Sequence, residues 1–187
     1  MGGMIRDVTC RRGSMKHHLA SSLVCLGFVF PACAALAQET PSSATATCIF
    51  DADKELKADY QRISFNLKKP VFGREIPYGK AWAPGGKPLV LFTNSTVEIG
   101  GKVLPVGAYT MFVLPTPKQW TLIISKSTDL SGRYDEQQDL VRVAMQSGEL
   151  PMPESEFKVS FAHVTPDQCS FRLDLAKVGN WATFQSK

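Results

Sequence analysis

Apolar residues recur at every second position along this chain, and turn-forming residues interrupt them at short intervals. Ile63, Phe65 and Leu67 alternate with Ser64 and Asn66, and Phe157, Val159 and Phe161 alternate with Lys158 and Ser160. Cys169, Phe171, Leu173 and Leu175 repeat the pattern in CSFRLDL. A period of two puts the apolar side chains of a segment on one face, so these segments are expected as half-buried β-strands. LVLF (Leu89 to Phe92), YTMFVL (Tyr109 to Leu114) and WTLIIS (Trp120 to Ser125) are denser runs of strand formers, suited to burial on both faces.

The stretch IGGKVLPVGAYTMFVLP, from Ile99 to Pro115, shows how such strands are joined. Gly100-Gly101 supplies the positive φ angles of a tight hairpin, and Pro105-Val106-Gly107 makes a second turn with φ pre-set by the proline. A phosphate-cradling loop would need a strand feeding a helix N-terminus, usually with a Lys-Ser/Thr pair. A strand follows here instead, so the glycines turn a sheet. Further turn signals stand at Gly85-Gly86, Pro115-Thr116-Pro117, Thr165-Pro166-Asp167 and Gly179-Asn180. Only Asp51 to Tyr60 and Asp135 to Met145 have the composition of short helices. The expectation is one all-β domain, an antiparallel β-sandwich of about eight to nine strands with room for one short helix.

The N-terminus follows a different pattern. From Met15, a short basic start (Lys16, His17, His18) leads into an apolar segment, Leu19 to Phe30, and then past Pro31 to Ala35-Leu36-Ala37. This is the layout of a secretory signal peptide, with cleavage expected between Ala37 and Gln38. The apolar run is too short for a lasting anchor, which needs about 20 such residues, so no stable membrane span is expected after cleavage. Met1, Met4 and Met15 are all available as starts. Phe30-Pro31-Ala32 is a poor lipobox before Cys33, and Arg11-Arg12 with Lys16 only echoes a twin-arginine signal. Met1-Gly2 is not a myristoylation site, because Arg6 stands where Ser or Thr is required. The expected division is therefore a signal peptide at 1–37, a flexible polar tail at 38–47 and a single β-sandwich domain at 48–187.

Cleavage changes both charge and cysteine content. The formal charge of +4 falls to +1, with 17 basic and 16 acidic residues left, so no electrostatic footprint for nucleic acid or anionic lipid remains. Cys10, Cys25 and Cys33 leave with the leader. Cys48 and Cys169 remain, an even pair in an oxidising compartment, and are expected as one disulfide tying the N-terminal strand to a late strand. A periplasmic or secreted location follows from the same reading.

Recognisable catalytic chemistry is scarce. His163 is the one histidine left, which by itself cannot make a zinc site, and no cluster has ligand spacing, so no metal or cofactor is expected. No G-x-S-x-G elbow presents a serine to it. Asp135, Glu136 and Asp139 cluster, as do Glu149, Glu154 and Glu156; a glycosidase would need two such carboxyls facing across a cleft. The segment Gly73 to Phe92 carries more: Arg74, Tyr78, Lys80 and Trp82 sit among glycines and prolines in a long connection. Large hydrogen-bonding residues in a loop on a rigid sheet are where binding usually occurs. A second reading stays open, with Tyr78 and Trp82 capping the core and Arg74 and Lys80 in solvent.

GREIPYGKAW (Gly73 to Trp82), IGGKVLPVGAYTMFVLP, QWTLIISK (Gln119 to Lys126) and YDEQQDLVRV (Tyr134 to Val143), in this order, resemble domain-of-unknown-function family 2911. The resemblance runs from about Ile63 to Leu175 and implies a bacterial protein of the envelope or medium, with no known reaction. Family members typically continue Y-G-K-x-W with an Arg-x-Gly-Ala-Asn-like segment. This chain has Ala83-Pro84-Gly85-Gly86-Lys87 there, without the Arg and the Asn. The functional expectation is a non-enzymatic binding or interaction domain for a small molecule, glycan or envelope protein. The alternative is a hydrolase of envelope glycans built on a carboxylate pair.

Overall fold

The structure is a computed structural model and describes residues 43–187. The expected leader, Cys33 and the cleavage site at Ala37 and Gln38 lie outside the described residues. Ten strands follow one another: β1 Ser43–Ile49, β2 Glu55–Gln61, β3 Leu89–Thr93, β4 Val97–Ile99, β5 Lys102–Leu104, β6 Gly107–Pro115, β7 Trp120–Ser125, β8 Asp139–Ala144, β9 Gln146–Thr165 and β10 Gln168–Ser186. They form a six-stranded sheet in the order β1-β2-β3-β6-β7-β8 and a four-stranded sheet in the order β5-β4-β10-β9. All pairs are antiparallel. The expected all-β sandwich is what the chain builds.

One buried cluster joins the two sheets. Leu56, Ala58, Leu89, Leu91, Met111, Leu122 and Ile124 come from the large sheet; Val97, Ile99, Phe157, Phe171, Leu173 and Phe184 come from the small one. Each of these side chains other than Ala58 stabilises the fold by about 1.5–3 kcal/mol relative to leaving it exposed.

The hairpin at Gly100-Gly101 forms as expected, with φ of 57° and 75° and Ile99 paired with Lys102. The next turn does more than the sequence suggested. β5 lies in the small sheet and β6 in the large one, so Pro105 and Val106 carry the chain across the sandwich. Tyr109 holds that crossover, its hydroxyl donating to the Pro105 carbonyl at 2.8 Å.

Several expectations are corrected. Asp51 to Tyr60 is a 3₁₀ turn (Asp51–Asp53) followed by β2, whose Leu56, Ala58 and Tyr60 point inward at period two. Asp135 to Met145 is likewise a 3₁₀ turn (Glu136–Gln138) followed by β8. Helix-forming Lys, Glu, Gln and Ala gave both segments a helical composition, and pairing with a waiting strand edge outweighs a propensity of tenths of a kcal/mol per residue. Ser43 to Thr47 is strand rather than flexible tail, paired with β2 in the register Ser43↔Gln61 to Ile49↔Glu55. Ile63 to Leu67 is reduced to one bridge, Ser64↔Glu156. Asn66 ends it by turning the chain: its carbonyl accepts from Lys69 N–H and its Oδ1 from Lys68 N–H. Gly179-Asn180 is no turn and lies inside β10. A Cβ on Gly179 would stand 2.8 Å from an Asp174 oxygen and 3.0 Å from Leu150, so close packing requires the glycine there.

Candidate functional site

β6 outruns its neighbour β3, which pairs only with Gly107 to Met111. The open edge beyond is filled by the loop singled out from sequence. Trp82 N–H donates to the Val113 carbonyl (2.7 Å), Val113 N–H donates to the Trp82 carbonyl (3.1 Å), and Gly79 N–H donates to the Pro115 carbonyl (2.9 Å). Upstream, buried Val71 and Ile76 pin a tight turn in which Ile76 N–H donates to the Val71 carbonyl and Gly73 N–H to the Ile76 carbonyl.

This docking separates the four expected binding residues. Trp82 is half-buried, its ring edge-on to Phe157 at 5.3 Å and tilted against Phe65 at 6.5 Å. It caps the core. Tyr78 is 40% exposed. Arg74 and Lys80 are exposed, and neither joins an ion pair among the described residues.

Tyr78 borders a groove between this loop and the base of the β9–β10 hairpin. The central part, about 110 Å³, is bounded by Phe72, Tyr78, Lys118, Trp120, Ser147 and Val178. A neighbouring apolar hollow of about 290 Å³, which shares Phe72 with it, lies between Leu67, Lys69, Val71, Pro153, Ala176 and Lys177. A shallow shelf beside Gly148, Glu149 and Lys177 shares Ser147 and Val178 with it. Phe72 and Trp120 stack edge-to-face at 5.6 Å along it. The wall at Ala176 is irregular: its φ is 53°, and the β9–β10 register shifts on both sides of it. Bulges of this kind re-aim side chains and gather at binding sites. Lys69, Lys118 and Lys177 border the groove, and Glu149 approaches Lys177 at 3.9 Å. Behind Ser147, which donates to Asn180 Oδ1 at 2.6 Å, the fully buried Asn180 keeps Nδ2 unpartnered among the described residues. Of these groove residues only Tyr78, as a binding residue, and Glu149, as one of the clustered carboxylates, were singled out from sequence, because the lining comes from four separate segments joined only by the fold.

A larger depression of about 500 Å³ lies around Glu55, Lys57, Phe92, Asn94 and Val106. It is wide and open, and the Lys57 ammonium already lies over the Phe92 ring at 4.8 Å. The groove gathers more converging groups and is the stronger candidate.

The carboxylates are placed one by one. Asp135 accepts from Gln137 N–H and caps the 3₁₀ turn. Glu136 and Asp139 both pair with Arg142, each at 2.8 Å. Tyr134 donates to Asp139 Oδ2 at 2.6 Å and packs on Phe112; burial first, then that hydrogen bond, push its phenol up to about 12. Glu156 holds Arg62 at 2.7 Å, which raises the guanidinium further above its ordinary value. Glu154 pairs with Ala176 at the bulge. Only Glu149 borders the groove.

Cys48 and Cys169 lie at disulfide distance with Cα atoms 6.6 Å apart, joining β1 to β10. His163 stands directly over them, Nε2 3.6 Å from Cys48 Sγ and Nδ1 3.8 Å from Cys169 Sγ. Sequence reading treated this histidine as solitary. The turn signal alone does not give this placement: Thr165 pairs with Gln168 across Pro166-Asp167, and a register shift between Gln168 and Cys169 is what sets His163 opposite Cys169.

Comparison with known proteins adds one finding. No curated protein and no solved structure matches the chain. A family model described as "Protein of unknown function (DUF2911)" matches residues 41–181. That span takes in the docked Gly73 to Trp82 loop, both walls of the groove and the Tyr134–Arg142 cluster, and the chain belongs to this DUF2911 family.

Proposed function

We propose that this domain is a non-enzymatic binding module of the periplasm or the extracellular medium, and that the groove beside Tyr78 takes an anionic amphiphile. The carrying observation is the combination of an aromatic and aliphatic floor (Val71, Phe72, Trp120, Pro153) with three bordering lysines at 69, 118 and 177. Mostly apolar pockets with a few polar groups are the usual form of small-molecule sites, and the lysines set the sign of the ligand. The signal-peptide pattern of the first 37 residues and the paired cysteines support the location. Among the described residues no helix is long and apolar enough to cross a membrane.

The test is titration with dodecanoate and with dodecanol, read by Trp fluorescence and backbone NMR shifts. Saturable dodecanoate binding is expected to shift groove residues, with dodecanol weaker. The double variant Lys69→Ala/Lys177→Ala is expected to weaken binding by about 2- to 30-fold, since each partly solvated charge contact contributes about 0.2–1 kcal/mol. Equal binding of both ligands, or shifts confined to other faces, would remove the assignment.

A further inference from the structure

The cluster of Cys48, Cys169 and His163 lies at the seam between the two sheets, on β1, β10 and β9. Both sulfurs are buried, Cys48 2% and Cys169 0% exposed, while the imidazole over them is exposed. Its ring nitrogens approach Cys48 Sγ at 3.6 and 3.8 Å and Cys169 Sγ at 3.8 Å. All the donor atoms lie within 4.8 Å of one another.

We propose that, when the sulfurs are reduced, Cys48, Cys169 and His163 form a site for one soft or borderline d¹⁰ cation such as zinc, so that the same pair serves as a staple when oxidised and as a metal centre when reduced. Tetrahedral zinc with S at about 2.3 Å and N at about 2.0–2.1 Å places S and N about 3.5 Å apart and the two sulfurs about 3.8 Å apart. One ring nitrogen has to face both sulfurs, and Nδ1 stands 3.8 Å from each, about 0.3 Å beyond that distance. The sulfurs have to part and the ring has to turn its Nδ1 lone pair between them, since both ring nitrogens now lie nearly equidistant from Cys48 Sγ. A Cα separation of 6.6 Å lies near the long end of the disulfide range, so side-chain rotation provides most of the movement. Thiolates with imidazole are the donor set that selects zinc or monovalent copper over hard cations. Three protein ligands leave a fourth position, on the exposed side of His163, for water or another donor.

The redox step is thiol–disulfide exchange with a dithiol donor. Two electrons and two protons pass to the cystine, its S–S bond breaks, two thiols form, and the donor leaves as its disulfide. Metal capture then releases both thiol protons to solvent, leaving two thiolates that neutralise a divalent ion. Exchange with a disulfide donor reverses the sequence and expels the ion.

The test uses the whole protein reduced anaerobically with a phosphine, titrated with cobalt(II) as a spectroscopic probe and then with zinc(II) in competition. One cobalt per chain with a thiolate-to-cobalt charge-transfer band is expected, displaced by zinc. The oxidised protein is expected to bind none. Cys48→Ser should abolish the band, and His163→Gln should weaken binding by at least about 10-fold, the lower bound seen even for outer-shell partners. Should the reduced chain lose its sheet signal in circular dichroism, zinc is expected to restore it in the wild type and not in His163→Gln. Failure of the reduced protein to take up either ion, binding by His163→Gln as tight as the wild type, or equal uptake by the oxidised protein would each overturn the proposal.

Discussion

Tyr134 shows how one side chain fixes the chemistry around it. Its ring lies against Phe112 at 5.2 Å, and its hydroxyl donates to Asp139 and receives Arg142. Removal from water disfavours the phenolate, and the neighbouring carboxylate disfavours it further; Arg142 opposes them without prevailing. The folded value of about 12 stands above the ordinary 10. The folded state therefore holds its proton where the unfolded chain releases it. The stability this contributes is complete below pH 10 and is lost as pH rises through 12. A phenolate absorbance titration is expected to show a late step near pH 12 that Tyr134→Phe removes. The same variant should cost about 1 kcal/mol at neutral pH in chemical denaturation, the usual worth of one hydrogen bond. A late step surviving in Tyr134→Phe would assign it to another tyrosine. The arrangement also accounts for Asp139 and Glu136: both carboxylates are committed to Arg142, and their clustering in sequence reflects this local network.

At the scale of the element, the loop from Gly73 to Trp82 acts first as a strand extension. Its backbone completes the free edge of β6, and its tryptophan closes the end of the core. Trp82→Ala is expected to destabilise the domain by about 3 kcal/mol, toward the lower end for such a truncation because the ring is only half-buried. Arg74→Ala and Lys80→Ala should stay within about 0.5 kcal/mol, as exposed side chains without partners do. Denaturant midpoints check all three. A Trp82→Ala protein as stable as the wild type would return the ring to a ligand-contacting role. This division was not legible in the sequence, because the same amphipathic aromatics suit a core cap and a binding wall. Strands with strong side chains were legible: Phe157 to Phe161 and Cys169 to Leu175 announce their period plainly. β2 has the same period, but carries it on Leu56, Ala58 and Tyr60 among lysines and acids, where a small alanine hides the alternation. The groove was invisible for another reason. Leu67, Phe72, Trp120, Ser147 and Lys177 share no motif, and only the docking of a loop against a hairpin base brings them together.

At the scale of the whole domain, the sandwich is closed at one seam by β1, an edge strand whose only strand partner among the described residues is β2. Cys48 on β1 and Cys169 on β10 tie that edge to the opposite sheet across a sequence separation of 121. Parity of cysteines and the compartment expected from the leader pattern were enough to foresee the pair; the imidazole over it depended on strand register. A link closing so long a loop stabilises by about 4–5 kcal/mol if it acts by restricting the unfolded chain. The structure argues for a second, native-state contribution, since among the described residues β1 has strand hydrogen bonds on one side only and the sulfurs tie it to the opposite sheet. The two contributions differ in hydrogen exchange. In the double variant Cys48→Ala/Cys169→Ala the denaturation midpoint is expected to fall. The amides of Ser43 to Ile49 should lose protection earlier and by a larger factor than those of β3 and β6, because local opening of a released edge precedes global unfolding. An equal loss across the large sheet would mean that the pair acts on the unfolded chain alone and that β2 suffices to hold β1 in place.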